Sequence, residues 1–192
     1  MLIIDHRVNT VEHLQRVPRE NGVEIDVRDY DGALRLVHDP FEGGELLSEF
    51  LAAYRHACLI VNVKCDGLEG SILELLQRHA VSDFFFLDMA SPTLVRHALR
   101  GERRIAVRFS EHEPIESALR FAGRVDWVWV DCFSRLPLDP ESYARLRQHF
   151  KICLVSPELQ GHPAGMIDTF RAQLRAMPID AVCTDLPSRW LS

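Results

Sequence analysis

Two carboxylates alternate with three aliphatic residues in Val23-Glu24-Ile25-Asp26-Val27, and in an extended strand that alternation sends both acids to one face. Acids so close repel unless a cation, a proton or a basic side chain offsets them. The run from Leu59 to Lys64 repeats the pattern, with Leu59, Val61 and Val63 on one face and Ile60, Asn62 and Lys64 on the other, so Lys64 brings one positive charge. Other apolar runs turn polar at their ends, giving His6, Arg7, Asp88, Arg108, Asp131, Ser156, Glu158 and Asp185. Asp88, Asp131, Glu158 and Asp185 are explained equally well by the chain turning into solvent. Glu24, Asp26 and Lys64 differ, because they stand among apolar residues inside their strands, where charge is seldom buried without a use. Of nine histidines, His6 and His38 fall at a strand or loop end facing these carboxylates. Imidazoles titrate near neutral pH and suit proton transfer. Arg7 and Lys64 would hold an anion, or would balance the acids as an ion-pair network with no ligand.

The elements that must position these groups follow a repeating grammar. Short β-branched or aromatic runs recur about every two dozen residues, each followed by a polar turn and a stretch of helical periodicity. The runs are 2–7, 23–28, 59–65, 84–89, 105–110, 127–132, 152–156 and 181–185. A further run, Leu34 to His38, follows the Asp31-Gly32 turn and reads as a hairpin arm or extended loop. Ser91-Pro92, Glu113-Pro114, Asp139-Pro140 and His162-Pro163 mark helix starts, since proline at the first helical position forfeits no hydrogen bond. Eight such units make an α/β protein, a compact (β/α)8 TIM-type barrel near the roughly 200-residue minimum of that fold, with short or partly missing helices. Polar residues at the C-terminal strand ends then form its functional rim.

The chain has 192 residues, 47% hydrophobic and 26% charged, with no Gly-, Ser- or Pro-rich linker, which implies a single domain over 1–192. A net charge of -6 with scattered basic residues argues against a nucleic-acid partner. No apolar run approaches the roughly 20 residues of a transmembrane helix, and no signal-like segment opens the chain. Five cysteines, Cys58, Cys65, Cys132, Cys153 and Cys183, sit in or beside apolar runs without metal-site spacing. They read as reduced thiols and imply the cytoplasm.

His6-Arg7, Glu24-Ile25-Asp26, His38-Asp39 and Lys64, taken in order, resemble the glycerophosphodiester phosphodiesterase family, part of a superfamily with phosphatidylinositol-specific phospholipase C. Asn9-Thr10 is similar to that family's opening of the first helix, and Thr184-Asp185-Leu186-Pro187 to its closing motif. The resemblance spans nearly the whole chain. It implies a metal-assisted phosphodiesterase of lipid metabolism that hydrolyses a small or lipid-derived phosphodiester. His6 and His38 would be the catalytic acid and base, and Arg7 and Lys64 the phosphate ligands. Mg2+ or Ca2+ would sit on Glu24, Asp26 and Asn62, and attack would commonly come from a neighbouring substrate hydroxyl through a cyclic phosphate.

Three departures stand out. Asn62 replaces an acidic metal ligand, so weaker metal affinity is expected. Val8 stands where a glycine follows His-Arg, which is expected to restrict backbone approach to phosphate. Only about twenty residues separate His38 from the third strand, which leaves the site open. Two alternatives remain: a lyase that releases the cyclic phosphate, and an inactive barrel that binds a phosphorylated ligand.

Overall fold

The computed structural model describes residues 1–191. In chain order the strands are β1 (Leu2–Asp5), β2 (Gly22–Tyr30), β3 (Ala33–Leu36), β4 (Glu45–Leu46), β5 (Leu59–Val63), β6 (Phe84–Leu87), β7 (Ala106–Phe109), β8 (Trp127–Val130), β9 (Lys151–Val155) and β10 (Ala181–Thr184). The helices are α1 (Val11–Leu14), α2 (Leu47–Ala53), α3 (Glu69–Arg78), α4 (Ser91–Leu99), α5 (Ile115–Leu119), α6 (Pro140–Arg147), α7 (Met166–Gln173) and α8 (Pro187–Trp190). They are short, as expected. The chain divides into two compact units, Asp5–His97 and the remainder from Ala98 together with Met1–Ile4.

In the Asp5–His97 unit the strand order is β4-β3-β2-β5-β6. β2 pairs in parallel with β5 from Val23 opposite Leu59 to Val27 opposite Val63, which sets Glu24 beside Ile60 and Asp26 beside Asn62. β5 pairs in parallel with β6. Ile25, Val61 and Phe86 in one strand phase are fully buried together with Phe50 of α2, and Ile60 and Phe85 in the phase of Glu24 are buried too. Truncating one of these phenylalanines to alanine would cost about 3–5 kcal/mol.

The run Leu34 to His38 proves to be a hairpin arm: β3 lies antiparallel to β2, with Val27 opposite Leu36. The turn between them uses Asp31 and Gly32 at φ 54° and 69°, the left-handed pair that a two-residue hairpin requires. β4 was not anticipated, because two residues carry no periodicity. Gly44 leads into it, and a side chain there would overlap the Leu36 carbonyl oxygen at 2.1 Å. Only glycine lets the loop after His38 return so closely.

In the other unit β10, β9, β8 and β7 pair in parallel in that order, and β1 is next to β10. α6 begins as its sequence implies, with Asp139 and Ser142 forming reciprocal caps ahead of Pro140. His162-Pro163 does not start a helix. A 3-10 turn, Pro157–Gln160, comes first and α7 begins at Met166, because a polar residue before proline marks turns as well as helices.

Several strands stop short of the expected ends. β1 ends at Asp5 rather than Arg7 and β5 at Val63 rather than Cys65, so His6, Arg7 and Lys64 lie just past their strands, with the Lys64 N–H still donating to the Val27 carbonyl. All five cysteines are free thiols, four of them buried. Among the described residues no helix is long and apolar enough to cross a membrane.

Candidate functional site

Every candidate residue from the sequence lies in the Asp5–His97 unit: His6 and Arg7 just after β1, Glu24 and Asp26 within β2, His38 just after β3, Asn62 within β5 and Lys64 just after it. Glu24 and Asp26 are each 1% exposed, and their neighbours show how the protein keeps two acids there. Arg7 adopts a left-handed φ of 51°, uncommon for a residue with a side chain, and its main-chain N–H donates to Glu24 Oε2 at 2.8 Å. The next amide, that of Val8, donates to the Glu24 carbonyl, and the Val8 side chain is buried. The special backbone geometry therefore falls on Arg7.

Asn62 donates from Nδ2 to Glu24 Oε1 at 3.0 Å. Burial, then the adjacent Asp26 charge, raise the Glu24 carboxyl above its ordinary value. His6, the Arg7 amide and the Asn62 amide act in the opposite direction.

Asp26 is clamped by Asn9, which donates from Nδ2 to Asp26 Oδ2 at 2.9 Å and accepts the Asp26 N–H at 2.8 Å. Lys64 Nζ lies 3.1 Å from Asp26 Oδ1, with only 16% of the lysine side chain exposed. His38 is reached from both sides. Arg7 Nη2 is 2.8 Å from His38 Nε2, and His38 Nδ1 is 2.8 Å from Asp39 Oδ1. A guanidinium only donates, so Nε2 accepts and Nδ1 carries the proton donated to Asp39. Asp39 is held below the usual carboxylate range, first by this hydrogen bond.

Six of the seven sequence candidates are thus linked by hydrogen bonds, an ion pair or strand register, and His6 precedes Arg7 in the chain and acts electrostatically on Glu24. Arg7 joins His38 to Glu24, Asn62 bonds to Glu24, and Asp26 takes Lys64 and sits opposite Asn62 in the β2–β5 register.

Sequence reading passed over two contributors. Arg28, half-buried, donates from Nε to the His38 carbonyl at 3.0 Å and from Nη1 to the Lys64 carbonyl at 3.4 Å. The signal was present, because Glu24, Asp26 and Arg28 share one phase of β2. Asn9 was read as part of a helix opening, whereas its amide serves the Asp26 carboxylate.

The donor set suits a hard divalent cation. Asp26 Oδ1 and Asn62 Oδ1 are buried acceptor oxygens with no hydrogen-bond donor, and they belong to residues opposite each other across two strands. The contact of Lys64 with Asp26 Oδ1 is an ion pair without hydrogen-bond geometry. With an amide in place of a third acid, no three His, Cys, Asp or Glu side chains gather into a metal set among the described residues.

A cleft of about 520 Å³ lies elsewhere in this unit, lined by Tyr54, Arg55, His56, His79 and Asp83 among others. These residues precede β5 and β6, so the cleft is at the N-terminal strand ends. Barrels of this type carry their chemistry at the other ends.

No protein-family model matches the chain, and no curated protein does either. Solved structures do. A glycerophosphodiester phosphodiesterase from Agrobacterium tumefaciens strain C58 superposes with a TM-score of 0.69 over 98% of both chains, at 15% sequence identity. A second chain from that strain, provisionally assigned as a glycerophosphoryl diester phosphodiesterase, gives 0.70 over 97% of this chain and 94% of its own, also at 15% identity. The chain has their fold. It is the α/β barrel architecture expected from the eight βα units.

Proposed function

We propose that the chain is a phosphodiesterase, hydrolysing a small or lipid-derived phosphodiester of the glycerophosphodiester type with acid and base supplied by His6 and His38. The observation that carries this reading is the position of Arg7. One residue puts its guanidinium on the His38 lone pair and its main-chain N–H on the buried Glu24 carboxylate. A proton acceptor, an anion-binding group and a carboxylate pair are therefore held within one residue's span.

In this reading the phosphate draws the Arg7 guanidinium to itself, together with the Lys64 ammonium. The departure of Arg7 leaves Nε2 of His38 free to take the proton of the attacking substrate hydroxyl, while Asp39 keeps Nδ1 protonated and the ring oriented. His6, the other imidazole, gives a proton to the departing alkoxide. Water then opens the cyclic phosphate with the two imidazoles exchanging roles. Glu24, Asp26 and Asn62 would hold Mg2+ or Ca2+. When bound, the cation would neutralise a non-bridging phosphate oxygen.

Phosphorus NMR of a phosphodiester panel incubated with protein and Mg2+, Ca2+ or Mn2+ tests the proposal. A monoester product supports it. A lasting cyclic phosphate makes the protein a lyase, and binding without cleavage makes it a phosphate-binding barrel.

Two further outcomes follow from the site. Asp39→Ala is expected to lower kcat by roughly 10- to 100-fold, the usual cost of removing the partner that orients an imidazole, with little change in Tm because Asp39 is exposed. An unchanged kcat would remove Asp39 from the mechanism. Asn62→Asp restores a formal charge beside Asp26 and is expected to tighten Ca2+ binding by about tenfold or more in calorimetric titration. Equal affinity in the two proteins would show that position 62 is not a ligand.

A further inference from the structure

We propose that Arg28 is a positioning residue of the site, holding the main chains that carry His38 and Lys64 in register with each other. The inference rests on the phosphodiesterase reading and adds a residue to it. β2 is flanked by antiparallel β3, which covers Val27 to Tyr30, and by parallel β5, which covers Val23 to Val27, so both neighbours reach their C-terminal ends at the same β2 residue. Val27 faces Leu36 of β3 and Val63 of β5. His38 and Lys64 both lie beyond those last pairs, where β2 holds only the incoming amide side of each segment. Each is tied back on its amide side, through Val37 N–H to the Asp26 carbonyl and Lys64 N–H to the Val27 carbonyl.

Arg28, the next residue of β2, supplies the other tie. Its Nε donates to the His38 carbonyl at 3.0 Å, and its Nη1 donates to the Lys64 carbonyl at 3.4 Å and approaches Cys65 Sγ at 3.7 Å. One planar fork thereby bridges two segments that enter from opposite flanks and carry different groups of the reaction. A guanidinium can span two carbonyls in this way because its donors diverge at fixed angles. An ammonium presents a single point and cannot reproduce the span. The side chain also shares its strand phase with Glu24 and Asp26, so it fixes the proton acceptor and the anion ligand relative to the same strand that carries the acids.

A misplacement of about 1 Å costs on the order of 100-fold in rate, and Arg28→Ala is expected to lower kcat by that much, with KM changing far less. Arg28→Lys is expected to stay defective, and added guanidinium ion to restore part of the Arg28→Ala rate. An Arg28→Ala protein with wild-type kcat, or one rescued fully by lysine, would overturn the proposal.

The 15N-imidazole signals of His38 give a readout independent of turnover. They are expected to shift and broaden in Arg28→Ala, and also in Arg28→Lys, which keeps the side-chain stem should the alanine variant fail to fold. Signals superimposable on wild type would sink the clamp. A wild-type protein that cleaves no phosphodiester would sink the phosphodiesterase reading alone, since the imidazole signals still decide the role of Arg28.

Discussion

Replacing either His6 or His38 by alanine is expected to lower turnover by about 100- to 10,000-fold, the usual contribution of a positioned acid or base, with the fold retained. Both side chains are partly exposed, and neither belongs to the buried aliphatic phase of β2 and β5, so little packing is lost. The two variants should differ in character. His38 is buttressed by Arg7 and Asp39, and its loss also frees the Arg7 guanidinium from the free enzyme. His38→Ala is therefore expected to bind inorganic phosphate at least as well as wild type while turning over far more slowly. His6 favours the charged form of Glu24, whose carboxyl is already lifted by burial and by Asp26. Removing His6 takes away an influence that favours the charged carboxylate, so phosphate or cation affinity is expected to move together with kcat. Steady-state kinetics on one phosphodiester, with phosphate binding measured by calorimetry, separates these outcomes. Near-normal turnover in either variant removes that imidazole from the chemistry.

The parts of the site legible in the sequence were those governed by strand periodicity. Glu24 and Asp26 alternate with aliphatics, and Asn62 and Lys64 repeat the phase on the next parallel strand, so their shared face followed from geometry before any contact was known. The Asp31-Gly32 turn was legible for a similar reason, since few residue pairs take two left-handed conformations in succession. What the sequence hid was set by main-chain conformation and by partners distant along the chain. Nothing in a residue type announces that Arg7 turns left-handed and aims its amide at Glu24. Nor does it show that Asn9 bonds to a carboxylate 17 positions away. The ends of β1 and β5 were overextended because polar residues there continue the alternation without continuing the ladder.

Lys64→Met should show the largest stability effect at the site, and one that depends on pH. Methionine keeps most of the lysine stem and removes the ammonium 3.1 Å from Asp26 Oδ1, in a pair that is 16% exposed on one side and 1% on the other. Breaking a pair this deeply buried costs about 3 kcal/mol, because the remaining carboxylate has lost its counter-charge but not its burial. Glu24 beside it sets the direction with pH. Its folded-state pKa is raised from 4.5 by burial and by the Asp26 charge, so below about pH 4.5 folded and unfolded chains both hold the proton and no penalty arises. As pH rises past that value the unfolded chain ionises first, and the native state is increasingly disfavoured until Glu24 ionises in turn. Without Lys64 the same two acids confront one another with one cation fewer, so the deficit against wild type is expected to be full near pH 7 and small near pH 4. Urea denaturation at both pH values measures it. A loss equal at the two would mean that lysine packing rather than charge supports the site, and no loss at neutral pH would mean that Asn9 and Asn62 suffice to hold the acids.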